Sequence, residues 1–252
     1  MKREYYYYEE IDSTNKRAKE LAQNGCSHGT LLVADVQTAG IGRRGRSWSS
    51  EKGTGIYMSM VLRPEIKTDA ASMLTLIAAL AVAKAMQKSI GTQSPLAQIK
   101  WPNDIVINGK KICGILTEMT LAGTGIDYIV VGIGINVLNE EFPEEIRQTA
   151  SSILLETGVR VDREKLIEMF LEYFEAYYER FVEEQDLSSF LTEYENLLVN
   201  KENRVRVLDP HGEYEGIAKG ITKKGELIVE TANETKLVSG GEVSVRGIYG
   251  YV

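Results

Sequence analysis

The sequence predicts an α+β chain in two parts: strands and helices intermixed up to about residue 198, then a small antiparallel β unit. Three observations carry this. Segments rich in β-branched residues (Ile105–Ile107, Ile112–Met119, Tyr128–Val137) alternate with segments of helical apolar spacing. From Asn200 onward the helical spacing disappears, and turn-forming clusters recur about every ten residues, as in a small barrel. The 252 residues, 43% hydrophobic and 26% charged, suffice for one large core plus a small one. The expected domains are 1–199 and 200–252.

The cluster Asp12-Ser13-Thr14-Asn15 offers N-cap side chains ahead of Ala18, Leu21 and Ala22, so a helix opens near Ser13 and ends at Gly25. Leu31–Val36 reads as a strand, residues 38–55 as a glycine-rich basic loop, and Ile56–Leu62 as a strand stopped at Pro64. Ala71–Ser89 is apolar on nearly every side, which predicts a helix packed deep against a sheet. Asn108-Gly109 marks a hairpin between the strands on either side. Leu166, Met169, Phe170, Tyr173, Phe174, Tyr177 and Phe181 form one apolar stripe of a helix, with a shorter helix expected over Leu187–Leu198. Tyr5–Tyr8 reads as a low-complexity tract.

Several function classes are excluded early. A formal net charge of -7 argues against a general nucleic-acid binder, so any positive patch is local. Cys26 and Cys113 form no CxxC motif, and two histidines, His28 and His211, cannot build a histidine metal site. The apolar stretch Ala70–Ala83 is shorter than the ~18 residues of a membrane span, and the first ten residues lack the apolar region of a signal peptide. A cytoplasmic protein is expected.

The strongest local motif runs from Thr38 to Trp48. Between 38 and 55 lie Gly40, Gly42, Gly45, Gly53 and Gly55; four basic residues (Arg43, Arg44, Arg46, Lys52) against Glu51 make the loop +3. Glycines let backbone approach an anion, and guanidinium groups match phosphate or carboxylate oxygens. The Gly40-x-Gly42-x-x-Gly45 spacing also fits a dinucleotide fingerprint, but no helical pattern follows to receive a pyrophosphate. A P-loop would need lysine where Arg46 stands.

Lys100-Trp101-Pro102-Asn103-Asp104 places an amide and a carboxylate at a turn between strands. Lys110 and Lys111 open the next strand, where an inward lysine could meet an anion. Gly132 and Gly134 interrupt an apolar strand, which weakens it unless something must approach closely.

Together, in this order, Gly40–Trp48, Lys100–Asp104, Lys111-Ile112-Cys113-Gly114 and Gly132–Asn136 closely resemble the biotin–protein ligases (biotin–[acetyl-CoA-carboxylase] ligases). Ser13, Thr14, Asn15 and Gln37 stand where that family contacts biotin. The resemblance implies a class II synthetase-like, mostly antiparallel mixed sheet flanked by helices, with a C-terminal SH3-like barrel. Since residue 1 already begins the catalytic part, it implies the short form without an N-terminal helix-turn-helix. The implied reaction is ATP-dependent biotinylation of one lysine on a biotin carboxyl carrier protein, through biotinyl-5′-AMP. Biotin and Mg-ATP are then substrates, with no prosthetic group. A lipoyl or octanoyl transferase and a non-catalytic biotin sensor are the alternatives.

Carried over by position, biotin would meet Ser13, Thr14, Asn15, Gln37, Gly40, Gly42, Arg43, Lys111, Gly114, Gly132 and Gly134. ATP would meet Arg43, Arg46, Trp48 (on the adenine side), Asn103, Asp104, Lys111 and Asn136. Lys111 and Arg43 are the implied catalytic cations, Asp104 is a candidate for Mg²⁺ or for orienting Lys111, and Lys100 balances charge. The family usually has arginine where this chain has Ile41, so looser loop closure is expected. A homodimer is a further implication, and DNA and membranes are not expected partners.

Overall fold

The computed structural model describes residues 4–210, 212–241, 243–247 and 251–252. The first three residues of the segment read as lacking a signal peptide, and His211, lie outside the described residues. The chain builds two sheets. The first takes β1 (Tyr5–Ile11), β2 (Leu31–Gln37), β3 (Gly55–Leu62), β4 (Gln98–Lys100), β5 (Asp104–Ile107), β6 (Lys110–Ala122) and β7 (Gly125–Asn136). Their order is β1-β2-β3-β7-β6-β5-β4; β1 and β2 are parallel and the other pairs antiparallel. Five helices accompany it: α1 (Thr14–Gln23), α2 (Met73–Ile90), α3 (Ile153–Thr157), α4 (Arg163–Glu184) and α5 (Leu191–Leu197).

Side-chain alternation decides which face each helix covers. Leu31, Val33, Met60, Leu62, Ile129 and Val131 join the large core beneath α2 and α4. Their neighbours Leu32, Val61, Tyr128 and Val130 face the opposite way and pack with Ala18 and Ala22 of α1. The helical run Thr68–Ile90, which contains α2, has the length and hydropathy of a membrane span, yet 78% of its apolar window is buried, as befits a core helix. Phe170, Phe174, Tyr178 and Phe181 of α4 are buried, with the first three rings in succession stacked.

β8 (Arg204–Leu208), β9 (Tyr214–Ile221), β10 (Leu227–Glu230), β11 (Thr235–Val238) and β12 (Ser244–Gly247) form the second sheet, ordered β11-β10-β9-β8-β12 and antiparallel throughout. Two details depart from the sequence reading. Tyr5–Tyr8 belongs to an edge strand, with Tyr6 and Tyr8 turned to the α1 core while Tyr5 and Tyr7 stay exposed. The helix expected from Leu187 starts only at Leu191, because the Asp186 carboxylate accepts the Ser188 N–H in a turn. The Asn108-Gly109 hairpin forms with both residues at positive φ (51° and 75°), the conformation its two-residue turn requires.

Candidate active site

One cavity of about 580 Å³ opens on the α1 face of the first sheet and reaches the last strand of the second. Strand register explains why. Tyr57, Gly134, Gly114, Asp104 and Lys100 lie side by side in one row across β3, β7, β6, β5 and β4. Ser59 and Gly132 form the next row on the same face. The two β7 glycines and Gly114 therefore make a floor without side chains.

α1 supplies one wall. Ser13 caps the helix, its oxygen accepting from Lys16 N, and this seats Thr14 and Asn15 over the sheet. Gln37 Oε1 accepts from Thr14 N (2.8 Å) and Thr14 Oγ1 (3.0 Å), which leaves the Gln37 amide NH₂ as the donor. Ser59 Oγ, fully buried, lies 2.7 Å from Thr14 Oγ1 and 2.6 Å from Asn15 Oδ1. Asn15 Nδ2 donates to Glu118 at 2.8 Å, and Lys19 pairs with that same carboxylate. A side chain at 132 would collide with Asn15, so glycine is needed there. Ser59 is the member that sequence reasoning missed; a lone serine in an otherwise apolar strand was its only mark.

The opposite wall is ionic. Lys111 Nζ pairs with Asp104 Oδ1 at 2.7 Å, and Tyr251 OH donates to Asp104 Oδ2. Plain alternation along β6 would send Lys111 to the same side as Cys113 and Ile115, into the core. The register shifts opposite the Ile105–Val106 step, where Cys113 pairs with Ile105 but Lys111 with Val106. This bulge turns Lys111 to the face of Asp104. Its backbone is held by Thr149 O and by Ser151 N. Burial pushes the Asp104 carboxyl up, but Lys111, Lys100 and the Tyr251 hydrogen bond outweigh it and hold the acid below its usual range. Burial brings the Lys100 ammonium down to about 8, against the opposing pull of Asp104.

The glycine–arginine loop folds over the cavity as a small hairpin, with a bridge between Ile41 and Ser47 and a bond from Trp48 N to Gly40 O. A three-residue 3₁₀ turn, Arg43–Gly45, forms its tip, and no longer helix follows. Gly40, Gly42 and Arg43 sit on this hairpin, where a Cβ at 40 would come within 2.9 Å of the Trp48 carbonyl. Ile41 is 57% exposed at the cavity's edge, while Arg44 and Arg46 are exposed cations lining it.

Arg43 donates to Asn103 Oδ1 (2.7 Å) and to the carbonyls of Gly240 (2.6 Å), Gly241 (2.8 Å) and Val243 (3.3 Å). The Trp48 ring lies against the glycine floor. Cβ atoms at 114 and 134 would stand 2.8 Å and 2.5 Å from its ring. The indole is 5.4 Å from Lys111 Nζ, and its buried N–H has no partner. Asn103 also donates to Ile115 O (3.0 Å), and Asn136 donates to Ser151 O (3.0 Å), so both amides stiffen the rim.

Asp104 stands where it can orient Lys111: Oδ1 faces the Lys111 ammonium as an ion pair and Oδ2 accepts from Tyr251. Among the described residues no group of three or more His, Cys, Asp or Glu side chains could hold a metal ion. Cys113 is fully buried, and burial raises its thiol well above the usual value, so it cannot serve as the nucleophile of a transferase.

Residues 7–136 match the profile of the "Biotin/lipoate A/B protein ligase family" and residues 202–246 that of the "Biotin protein ligase C terminal domain". The chain is 39% identical over 241 residues to the bifunctional ligase/repressor BirA of Bacillus spizizenii, covering 95% of this chain and 73% of that one. It is 33% identical to the biotin–[acetyl-CoA-carboxylase] ligase of Mycobacterium tuberculosis, over 92% of this chain and 85% of that one. A solved structure of the Aquifex aeolicus biotin protein ligase with biotin and ATP superposes with a TM-score of 0.84 at 32% identity, over 97% and 99% of the two chains.

Proposed function

The chain belongs to the biotin/lipoate A/B protein ligase family, and on that premise we propose how its cavity performs ATP-dependent biotinylation through biotinyl-5′-AMP. The observation that carries the reading is convergence. Cations from the loop (Arg44, Arg46), from β4 (Lys100) and from β6 (Lys111) line the same space as the Ser13–Thr14–Asn15–Gln37 network. A vitamin with a polar ring at one end and an acid at the other needs both ends met.

The hydroxyls and the Gln37 amide take the ureido ring, and the glycine floor takes the bicycle. The bicycle and the Trp48 indole cannot share that floor, so the indole lifts as the vitamin enters. Lys111, aimed by Asp104, receives the biotin carboxylate. Arg46 and Arg44 hold the triphosphate, with magnesium arriving on the ATP phosphates as part of that substrate. Attack of a carboxylate on a polyanion is slow because the two repel. Fixed ammonium and guanidinium groups remove that repulsion and stabilise the charge that develops at the α-phosphorus. Pyrophosphate leaves, and the loop hairpin shields the anhydride from water. The amine of a carrier lysine then attacks the acyl carbon, giving the amide and AMP. Asn103, Asn136 and Arg43 frame the nucleotide side, with Arg43 tying the loop to the second domain, residues 200–252. A biotin carboxyl carrier domain in the cytoplasm is the acceptor.

Exchange of labelled pyrophosphate into ATP tests this in the absence of any carrier. Exchange that requires biotin is expected. No exchange, or exchange driven by lipoate or octanoate in place of biotin, would refute the reading.

A further inference from the structure

The second sheet does not end at its own edge. Beyond β12, Tyr251 lines the catalytic cavity beside the first sheet, and Val252 packs against the β5–β6 turn. A Cβ at Gly109 would stand 3.1 Å from Val252 Cγ2. The Tyr251 phenol meets the one carboxylate oxygen of Asp104 that Lys111 does not occupy. Its ring carries the Lys100 ammonium on one face, 4.1 Å from the centroid. The cavity keeps its volume of about 580 Å³ with Tyr251 seated, so this side chain is a wall of the site and not its plug.

We propose that Tyr251 is a positioning residue for adenylate formation: its hydroxyl fixes the Asp104 carboxylate, and Asp104 so fixed aims Lys111 at the reacting acid. The inference rests on the ligase reading above. Asp104 is 7% exposed, so without the phenol a buried carboxylate oxygen would lose its donor and the carboxylate could turn. Lys111 would then lose the geometry that makes its charge useful in the transition state. The phenol is a dependable donor because burial and the neighbouring Asp104 raise it far above its ordinary range, keeping it protonated. The ring separately shields Lys100, the cation behind Asp104. A residue beyond the second sheet thereby completes machinery built by the first.

Tyr251→Phe keeps the ring over Lys100 and removes only the hydroxyl. In biotin-dependent pyrophosphate exchange its kcat should fall about ten-fold or more, the scale of one hydrogen bond to a charged group. The KM for ATP should stay within about two-fold. In an Asp104→Asn background the same change should cost less than about two-fold, since the group it acts through is gone. Tyr251→Leu, which also removes the ring, should lose at least as much kcat as Tyr251→Phe. Either variant retaining full kcat overturns the proposal, as does a Tyr251→Phe loss undiminished in the Asp104→Asn background. Absence of exchange in the unmodified protein overturns the ligase reading, and this proposal with it; exchange in the unmodified protein that Tyr251→Phe leaves intact overturns this proposal alone.

Discussion

Ser59→Ala tests the recognition wall at its least accessible point. The Ser59 hydroxyl has no exposed surface and stands within 2.7 Å of both Thr14 Oγ1 and Asn15 Oδ1. Thr14 already spends its hydroxyl proton on Gln37, so the serine proton serves one of the two buried oxygens. Alanine removes that donor and leaves an unpaired acceptor, a cost of about 1–3 kcal/mol. In a chain of this size each kcal/mol moves Tm by about 2–4 °C, so a fall of about 2–12 °C is expected. The loss also frees Thr14 and Gln37 to shift, and the biotin KM should rise about five-fold or more while the ATP KM holds. Differential scanning calorimetry and biotin-dependent exchange read the two effects. A variant that melts with the parent and keeps its biotin KM would show that this network neither stabilises α1 nor shapes the pocket.

Two other perturbations probe the floor and the buried cation. Gly134→Ala places a methyl 2.5 Å from the Trp48 ring, and overpacking of about 1–3 kcal/mol should push the indole off the floor. Its fluorescence should shift to the red, with Trp48→Phe as the blank because Trp101, the other tryptophan, is 1% exposed; an unshifted spectrum would place the indole elsewhere. Lys100, brought down to about 8, loses its charge in the folded protein as pH rises through that value, whereas an ordinary lysine stays charged there. The exchange kcat/KM should therefore fall on the basic side near pH 8, and Lys100→Arg should move that limb upward. A limb that stays in place would assign it to another group.

The sequence made the helices and central strands legible because their apolar spacing is strong: α2 is apolar all round and α4 carries a continuous stripe. The site motifs were legible as residues but not as geometry. Gly114 and Gly134 stand side by side only through the β6–β7 register, which no local pattern announces. Lys111 owes its inward aim to a bulge opposite Ile105–Val106, and the period-two rule alone points it into the core. The residue type of Arg43 suits an anion ligand, but its contacts with the carbonyls of 240, 241 and 243, two hundred residues away, are not legible in the local sequence. Ser59 and Tyr251 stayed hidden for the same reason: each acts through a long-range contact. β1 was missed because four consecutive tyrosines suggest a biased tract, though tyrosine suits a half-buried strand well.

The most direct measurement is single-turnover formation of biotinyl-5′-AMP by Lys111→Ala beside the parent protein, with biotin and Mg-ATP and no carrier. If Lys111 meets the charge that develops as the carboxylate attacks, the rate should fall on the order of a hundred-fold or more with the fold intact. A variant that makes the adenylate at the parent's rate would contradict the assignment of this cavity to the reaction.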